Sequence, residues 1–222
     1  GLKVIYDAAH AFGVKKDGKG VAGLGDMSMF SFHATKVFHS VEGGAITFNG
    51  KEELYSQLKR WKDFGIYGLD FTDITGGNAK MNEFSAAMGL CNLRHIDEAI
   101  KKRKAAVLRY RENLKDVKGI QMNIIQENVE SNYSYFPIVV HKDAYGRDRD
   151  ELMDILAKHN ILVRKYFYPL TSEMESVSNY CTIQETPIAK YMSSSVLTLP
   201  IYEEITMEDV DKVCDVIVSS AL

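Results

Sequence analysis

Short apolar runs separated by glycine turns fill the first fifty residues of the chain, and helical spacing follows them. Residues 2–6 (LKVIY) form a continuous apolar run with one lysine, which predicts a parallel strand in the middle of an α/β sheet. Residues 27–32 and 45–48 are two more strand-like runs, the second entered through Glu42-Gly43-Gly44 and closed by Asn49-Gly50. Residues 51–63 change to helical period, with Leu54, Leu58 and Trp61 on one face. Residues 65–77, rich in glycine and aromatics and without period, read as a loop that does something, or one that moves. Residues 81–114 predict the longest helix, apolar at Phe84, Met88, Cys91 and Leu93, with Lys101-Lys102-Arg103-Lys104 as a solvated basic face.

The second half changes character. Residues 120–125, 133–140 and 161–167 read as strands, and 148–159 and 206–220 as amphipathic helices, the last capped by Thr206 with Asp209 three residues on. The long helix bridges two domains, residues 1–105 and 106–222, the second a small α+β unit.

Composition narrows the partners. With 222 residues and 45% hydrophobic content the chain can bury a sizeable core. A formal charge of -3 supplies no broad basic field, so neither nucleic acid nor an anionic membrane is an expected partner. Cys91, Cys181 and Cys214 are scattered, with no CxxC pair, which fits a reducing cytoplasm and gives no support to a metal site. No apolar run approaches a membrane span, and no signal peptide is visible. The sequon Asn132-Tyr133-Ser134 is therefore expected to be accidental. Gly18-Lys19-Gly20-Val21-Ala22-Gly23 spells G-x-G-x-x-G, but no strand precedes it and no helix follows, so it is a surface loop.

Lys36 stands in FSFHATKVFHSVEGG (residues 30–44), crowded by aromatics where a solvated lysine has polar neighbours. Desolvation lets a lysine lose its proton and act as a nucleophile, the basis of Schiff-base chemistry. Asp7 ends the first strand, where open α/β sheets place ligands. A carboxylate there, a lysine on a second loop and hydroxyls beside it outline a pyridoxal 5'-phosphate (PLP) site. A turn residue is the plainer reading of Asp7, a satisfied core histidine that of His10, and strand packing that of Ser31.

VIYDAAHAFG, GDMSMFSFHATKVFHSVEGGAI, GGNAKMNEFSAAMGL, RKYFYPL and LTLPIYEEIT together resemble the DegT/DnrJ/StrS family of sugar aminotransferases, over essentially the whole chain. The fold implied is α/β, the PLP-dependent fold-type I like that of aspartate aminotransferase, with an incomplete large domain plus a small α+β C-terminal domain. By that resemblance Lys36 is the Schiff-base lysine and Asp7 the partner of the cofactor's pyridine nitrogen. Likewise His10 approaches the cofactor ring, Ser31 contacts its phosphate, and Asn78 reaches the neighbouring subunit's phosphate across a homodimer. Helix capping is the alternative for Asn78. Tyr168, at a strand end, is implied to meet the sugar. Lysine at position 36 also separates the chain from related sugar dehydratases, which carry histidine there.

The activity implied is amino transfer from an amino acid such as glutamate to a nucleotide-linked keto-deoxysugar, closest to the nucleotide-sugar 4-aminotransferases, with dTDP-4-keto-6-deoxyhexose as the expected acceptor. Members of the family have a long portion ahead of the aspartate strand, so the chain reads as a C-terminal portion, inactive and a poor PLP binder alone. Another PLP reaction on the same scaffold, or a non-catalytic fragment or dimerisation module, remain alternatives. The retained Asp7 and Lys36 favour a catalytic parent.

Overall fold

A computed structural model describes residues 1–50, 52–180 and 182–222. Lys51, the expected start of a helix, and Cys181 lie outside them. In chain order the first elements are β1 (Ile5–Asp7), β2 (Lys15–Lys16), β3 (Lys19–Gly20), β4 (Met27–Ser31), β5 (Gly44–Phe48), α1 (Glu52–Lys62), β6 (Ile66–Tyr67) and β7 (Phe71–Thr72). Then come α2 (Glu83–Leu93), α3 (Ile96–Leu114), β8 (Ile120–Met122), β9 (Val129–Glu130), β10 (Phe136–Val140) and α4 (Lys142–Tyr145). The chain continues through α5 (Arg149–Lys158), α6 (Glu175–Ser178), α7 (Pro187–Ser195), β11 (Val196–Leu199) and α8 (Met207–Ser219).

Two compact units result. The first contains Gly1–Ala99 and Glu127–Asn132, the second Ile100–Gln126 and Tyr133–Leu222.

In the first unit β1 pairs parallel with β4, and β4 antiparallel with β5. Alternation turns Ser28 and Phe30 inward and leaves Met29 at the surface, the period-2 pattern of a strand with one buried face. Among the described residues β1 pairs with β4 alone, so here it stands at the end of the β1-β4-β5 sheet and not in its middle as expected, with Ile5 and Tyr6 exposed. The G-x-G-x-x-G run supplies one turn residue of the β2–β3 hairpin, β3 itself and a following 3₁₀ turn, Val21–Gly23. Asp17 and Gly18 both take positive φ between these strands, as a two-residue hairpin turn requires. β9 joins β2 on its other side, so residues 127–132 are stitched into this unit from far along the chain.

Residues 65–77 are not an unstructured loop, since β6 and β7 pair antiparallel within them. The hairpin's neck is tight. A Cβ on Gly65, whose φ is +75°, would fall onto the Ile74 carbonyl oxygen. In α1, Leu54 and Leu58 are half-buried, but Trp61 is exposed rather than sharing a core face.

The expected single helix over 81–114 is two. Asn82 caps α2 by accepting the Ser85 N–H, and at its end the Arg94 and His95 N–H groups bond three residues back, a 3₁₀ tightening that separates α2 from α3.

The second unit packs helices on the antiparallel sheet β11-β10-β8. Phe136, Ile138 and Val140 of β10 meet Ala106, Tyr110 and Leu114 of α3, Leu152 and Leu156 of α5, and Val210, Cys214 and Ile217 of α8 in one core. The i, i+4 and i, i+3 spacings on these helices are the sequence form of that burial. Capping boxes start α5 (Asp148, Glu151) and α8 (Thr206, Asp209). Two expected strands shorten, 120–125 to β8 and 133–140 to β10. Residues 161–167 form no named strand. Ile161 and Val163 are buried and Leu162 exposed, which produces the alternation, yet among the described residues the segment makes a single bridge, Arg164 to Thr198.

Candidate functional site

Two neighbouring parallel strands deliver the candidate residues. β1 ends at Asp7, opposite Met29 of β4, and the Ala8 N–H donates to the Met29 carbonyl at 2.8 Å before the chain turns through His10. β4 ends at Ser31, five residues before Lys36. Both loops thus leave the carboxyl ends of adjacent parallel strands, where open α/β sheets gather ligand-binding groups.

Lys36 Nζ lies 2.6 Å from His10 Nε2. At that distance a hydrogen bond joins them, one nitrogen donating and the other accepting. Burial lowers the pKa of His10, the Lys36 charge lowers it further, and Asp7 opposes both. Lys36 is half-buried and His10 exposed, so His10 is not a core histidine. Asp7 does serve the turn, its Oδ1 accepting the Ala9 N–H at 3.0 Å, but its charge also acts on His10.

Aromatic packing holds the two loops. Phe12 stacks on Phe38 with ring centres 4.2 Å apart, and Phe32 stands edge-on to Phe38 at 4.8 Å. The Lys36 N–H donates to His33 O at 2.9 Å, and His33 Nδ1 lies 2.9 Å from Thr35 Oγ1. From α2, Asn92 Nδ2 donates to the His39 carbonyl at 3.0 Å. Ser31 is half-buried, its Oγ accepting the His33 N–H at 3.4 Å.

Not every expected residue joins this cluster. Asn78 is exposed and pairs by its backbone with Asp63. It does not cap the helix, a task that belongs to Asn82. Tyr168 belongs to the second unit, half exposed, its ring 5.0 Å from the Arg149 guanidinium. Arg149 is itself buried, donating to the Ser193 and Val196 carbonyls and pairing with Asp150. A cleft of 760 Å³ between β5, α1 and residues 79–85 is lined by Ile46, Tyr55, Lys59 and Lys80 among others, but not by Asp7, His10 or Lys36.

Sequence reasoning missed Asn132. Buried at 4% exposure, it donates from Nδ2 to the His10 and Phe12 carbonyls at 2.8 and 2.9 Å. An engaged, buried amide agrees with reading the sequon as accidental. No local signal could have found it, because its partners lie 122 and 120 residues away.

Among the described residues no group of His, Cys, Asp and Glu could hold a metal, and no helix is long and apolar enough to cross a membrane. A half-buried amine, an imidazole and a carboxylate at adjacent strand ends do fit PLP, which needs an amine for its aldehyde and an anion for its ring nitrogen.

Known proteins resemble the chain over most of its length. The chain is 44% identical over 207 residues to a dTDP-4-amino-4,6-dideoxy-D-glucose transaminase of Shigella dysenteriae, 93% of this chain and 56% of that protein. It is 42% identical over 217 residues to the Escherichia coli protein of the same name, 96% of this chain and 58% of that one. The crystal structure of DesI with its TDP-sugar product superposes with a TM-score of 0.90 at 31% identity, covering 98% of this chain and 55% of DesI. The chain thus spans a little over half the length of the relatives it matches. The family model of the DegT/DnrJ/EryC1/StrS aminotransferases matches residues 1–218, and the chain belongs to that family.

Proposed function

We propose that the protein carrying this chain is a PLP-dependent aminotransferase that moves an amino group from an amino acid, glutamate first among candidates, to the keto group of a dTDP-4-keto-6-deoxyhexose. The observation that carries the reading is the Lys36–His10 pair beside Asp7 at the carboxyl ends of β1 and β4. Support for the sugar comes from the relatives above 40% identity.

When bound, PLP supplies a sink for the electrons left on the donor's α-carbon as its proton departs. Lys36 Nζ is the group that holds the cofactor at rest and takes that proton, for which it must be neutral. His10 Nε2, 2.6 Å away, can share the proton that Lys36 sheds. The Asp7 carboxylate holds a proton on the cofactor's ring nitrogen, an opposite charge favouring the charged form. Ser31 offers a hydroxyl to the phosphate, Asn78 an amide to the site of a second subunit in a symmetric dimer, and Tyr168 an aromatic wall to the sugar.

The test is to add PLP, reduce with borohydride and map the label, then supply glutamate and the keto-sugar. Pyridoxyl on Lys36, 2-oxoglutarate formation and an amino sugar detected by mass are the expected results. Label confined to other lysines would reject the site. Label on Lys36 without glutamate turnover would point to another PLP reaction.

A further inference from the structure

Asn132 lies at the end of a six-residue segment, Glu127–Asn132, that folds into the first unit although the chain on both sides of it belongs to the second. The segment is pinned by the β2–β9 ladder, by the Asp17 N–H to Asn128 O bond at 2.8 Å and by the Lys15–Glu130 ion pair at 3.3 Å. Its last side chain does something those contacts do not. The Asn132 amide spans the turn that carries His10, donating to the carbonyls of His10 and Phe12 from a site 4% exposed. Those two residues are the ones that meet the Lys36 loop, His10 through Nε2 to Lys36 Nζ and Phe12 by stacking on Phe38.

We infer that Asn132 is a positioning residue for the amine of Lys36, acting through His10 and Phe12, whose backbone carbonyls it fixes from a distant part of the chain. Two bonds from one rigid amide set both the spacing and the tilt of the turn. Without them the turn loses two tethers to the distant segment, and the imidazole can move away from the amine. The inference rests on the functional reading for the importance of Lys36, but not for the geometry.

The experiment therefore has one readout that needs no cofactor. In ligand-free protein the titration of the His10 ring is followed by NMR in wild type, Asn132→Ala, Asn132→Ser and Glu130→Ala. The charged groups facing that ring are Lys36 from the other loop and Asp7 from its own strand. In Asn132→Ala the midpoint should rise toward the ordinary 6.5 as the ring leaves Lys36 and its partly buried place. The rate of reductive pyridoxyl labelling at Lys36 should fall by about tenfold. Asn132→Ser keeps one donor and should fall between, which also covers the case in which the alanine variant does not fold. Glu130→Ala, which removes only the ion pair of the same segment, should change neither quantity.

An unmoved His10 midpoint in the serine and alanine variants, or an equal shift in Glu130→Ala, would overturn the inference. Absence of labelling at Lys36 in the wild type would instead count against the aminotransferase reading, and the His10 titration would still decide the role of Asn132.

Discussion

The Nζ of Lys36 and the Nε2 of His10 stand 2.6 Å apart, within hydrogen-bond distance. The Lys36 charge bears on the ionisation of His10. His10 should titrate below 6.5, chiefly because it is partly buried and then because of Lys36. Lys36→Met should raise its midpoint, and Asp7→Asn should lower it further, since Asp7 is the opposing influence. NMR of the ring protons reads all three. The linkage has a definite sign. Between the folded midpoint and 6.5 the unfolded chain binds more protons, so the His10 contribution is complete above 6.5 and is lost as the pH falls through that window.

Lys36 and Asp7 should fail in different ways. Lys36→Arg should abolish pyridoxyl labelling at position 36 and turnover together. Asp7→Asn should leave the labelling and cut turnover of glutamate by at least about a hundredfold, a typical cost of mishandling one proton. Single-turnover kinetics in the protein that carries this chain separate the two, and equal loss of labelling in both variants would refute the division of roles.

Gly65→Ala should destabilise the β6–β7 hairpin by more than the ~1 kcal/mol typical of a strained φ, because the new methyl group meets the Ile74 carbonyl as well. Hydrogen exchange at Ile66 and Phe71 should quicken first. A Gly68→Ala control has open space around its Cβ and pays only for its φ of +68°.

In the second unit Leu156→Ala should cost about 2–5 kcal/mol, as a fully buried side chain facing one core. Thr206→Ala should cost about 1 kcal/mol through loss of the α8 cap. Denaturant midpoints check both.

The thiols offer a simpler probe. Burial pushes Cys214 up to about 11, whereas Cys91 is exposed. Iodoacetamide at pH 8 should modify Cys91 and spare Cys214, with peptide mass spectrometry as the readout.

What could be read from the chain beforehand was whatever its chemistry expressed locally. Asp7 and Lys36 stood out because a strand-end carboxylate and an aromatic-flanked lysine are unusual at short range. α5 and α8 were visible through their amphipathic spacing, and α8 also through its Thr206 cap. β11 was not, because all four of its residues are buried and show no alternation. Residues 161–167 misled in the opposite way, with alternation arising from packing rather than from a ladder. Asn132 was out of reach, since nothing in SNYSY reveals carbonyls more than a hundred positions earlier.

That distance also sets an order of events during synthesis. The turn bearing His10 is made 122 residues before the amide that fastens it. At ribosomal speeds of about 5–20 residues per second it waits roughly 6–25 s for its clasp. Until residues 127–132 emerge, the nascent first unit lacks both the third strand of its β3-β2-β9 sheet and the fastening of the turn that bears His10, so the surroundings of Lys36 are among the last features of that unit to be completed.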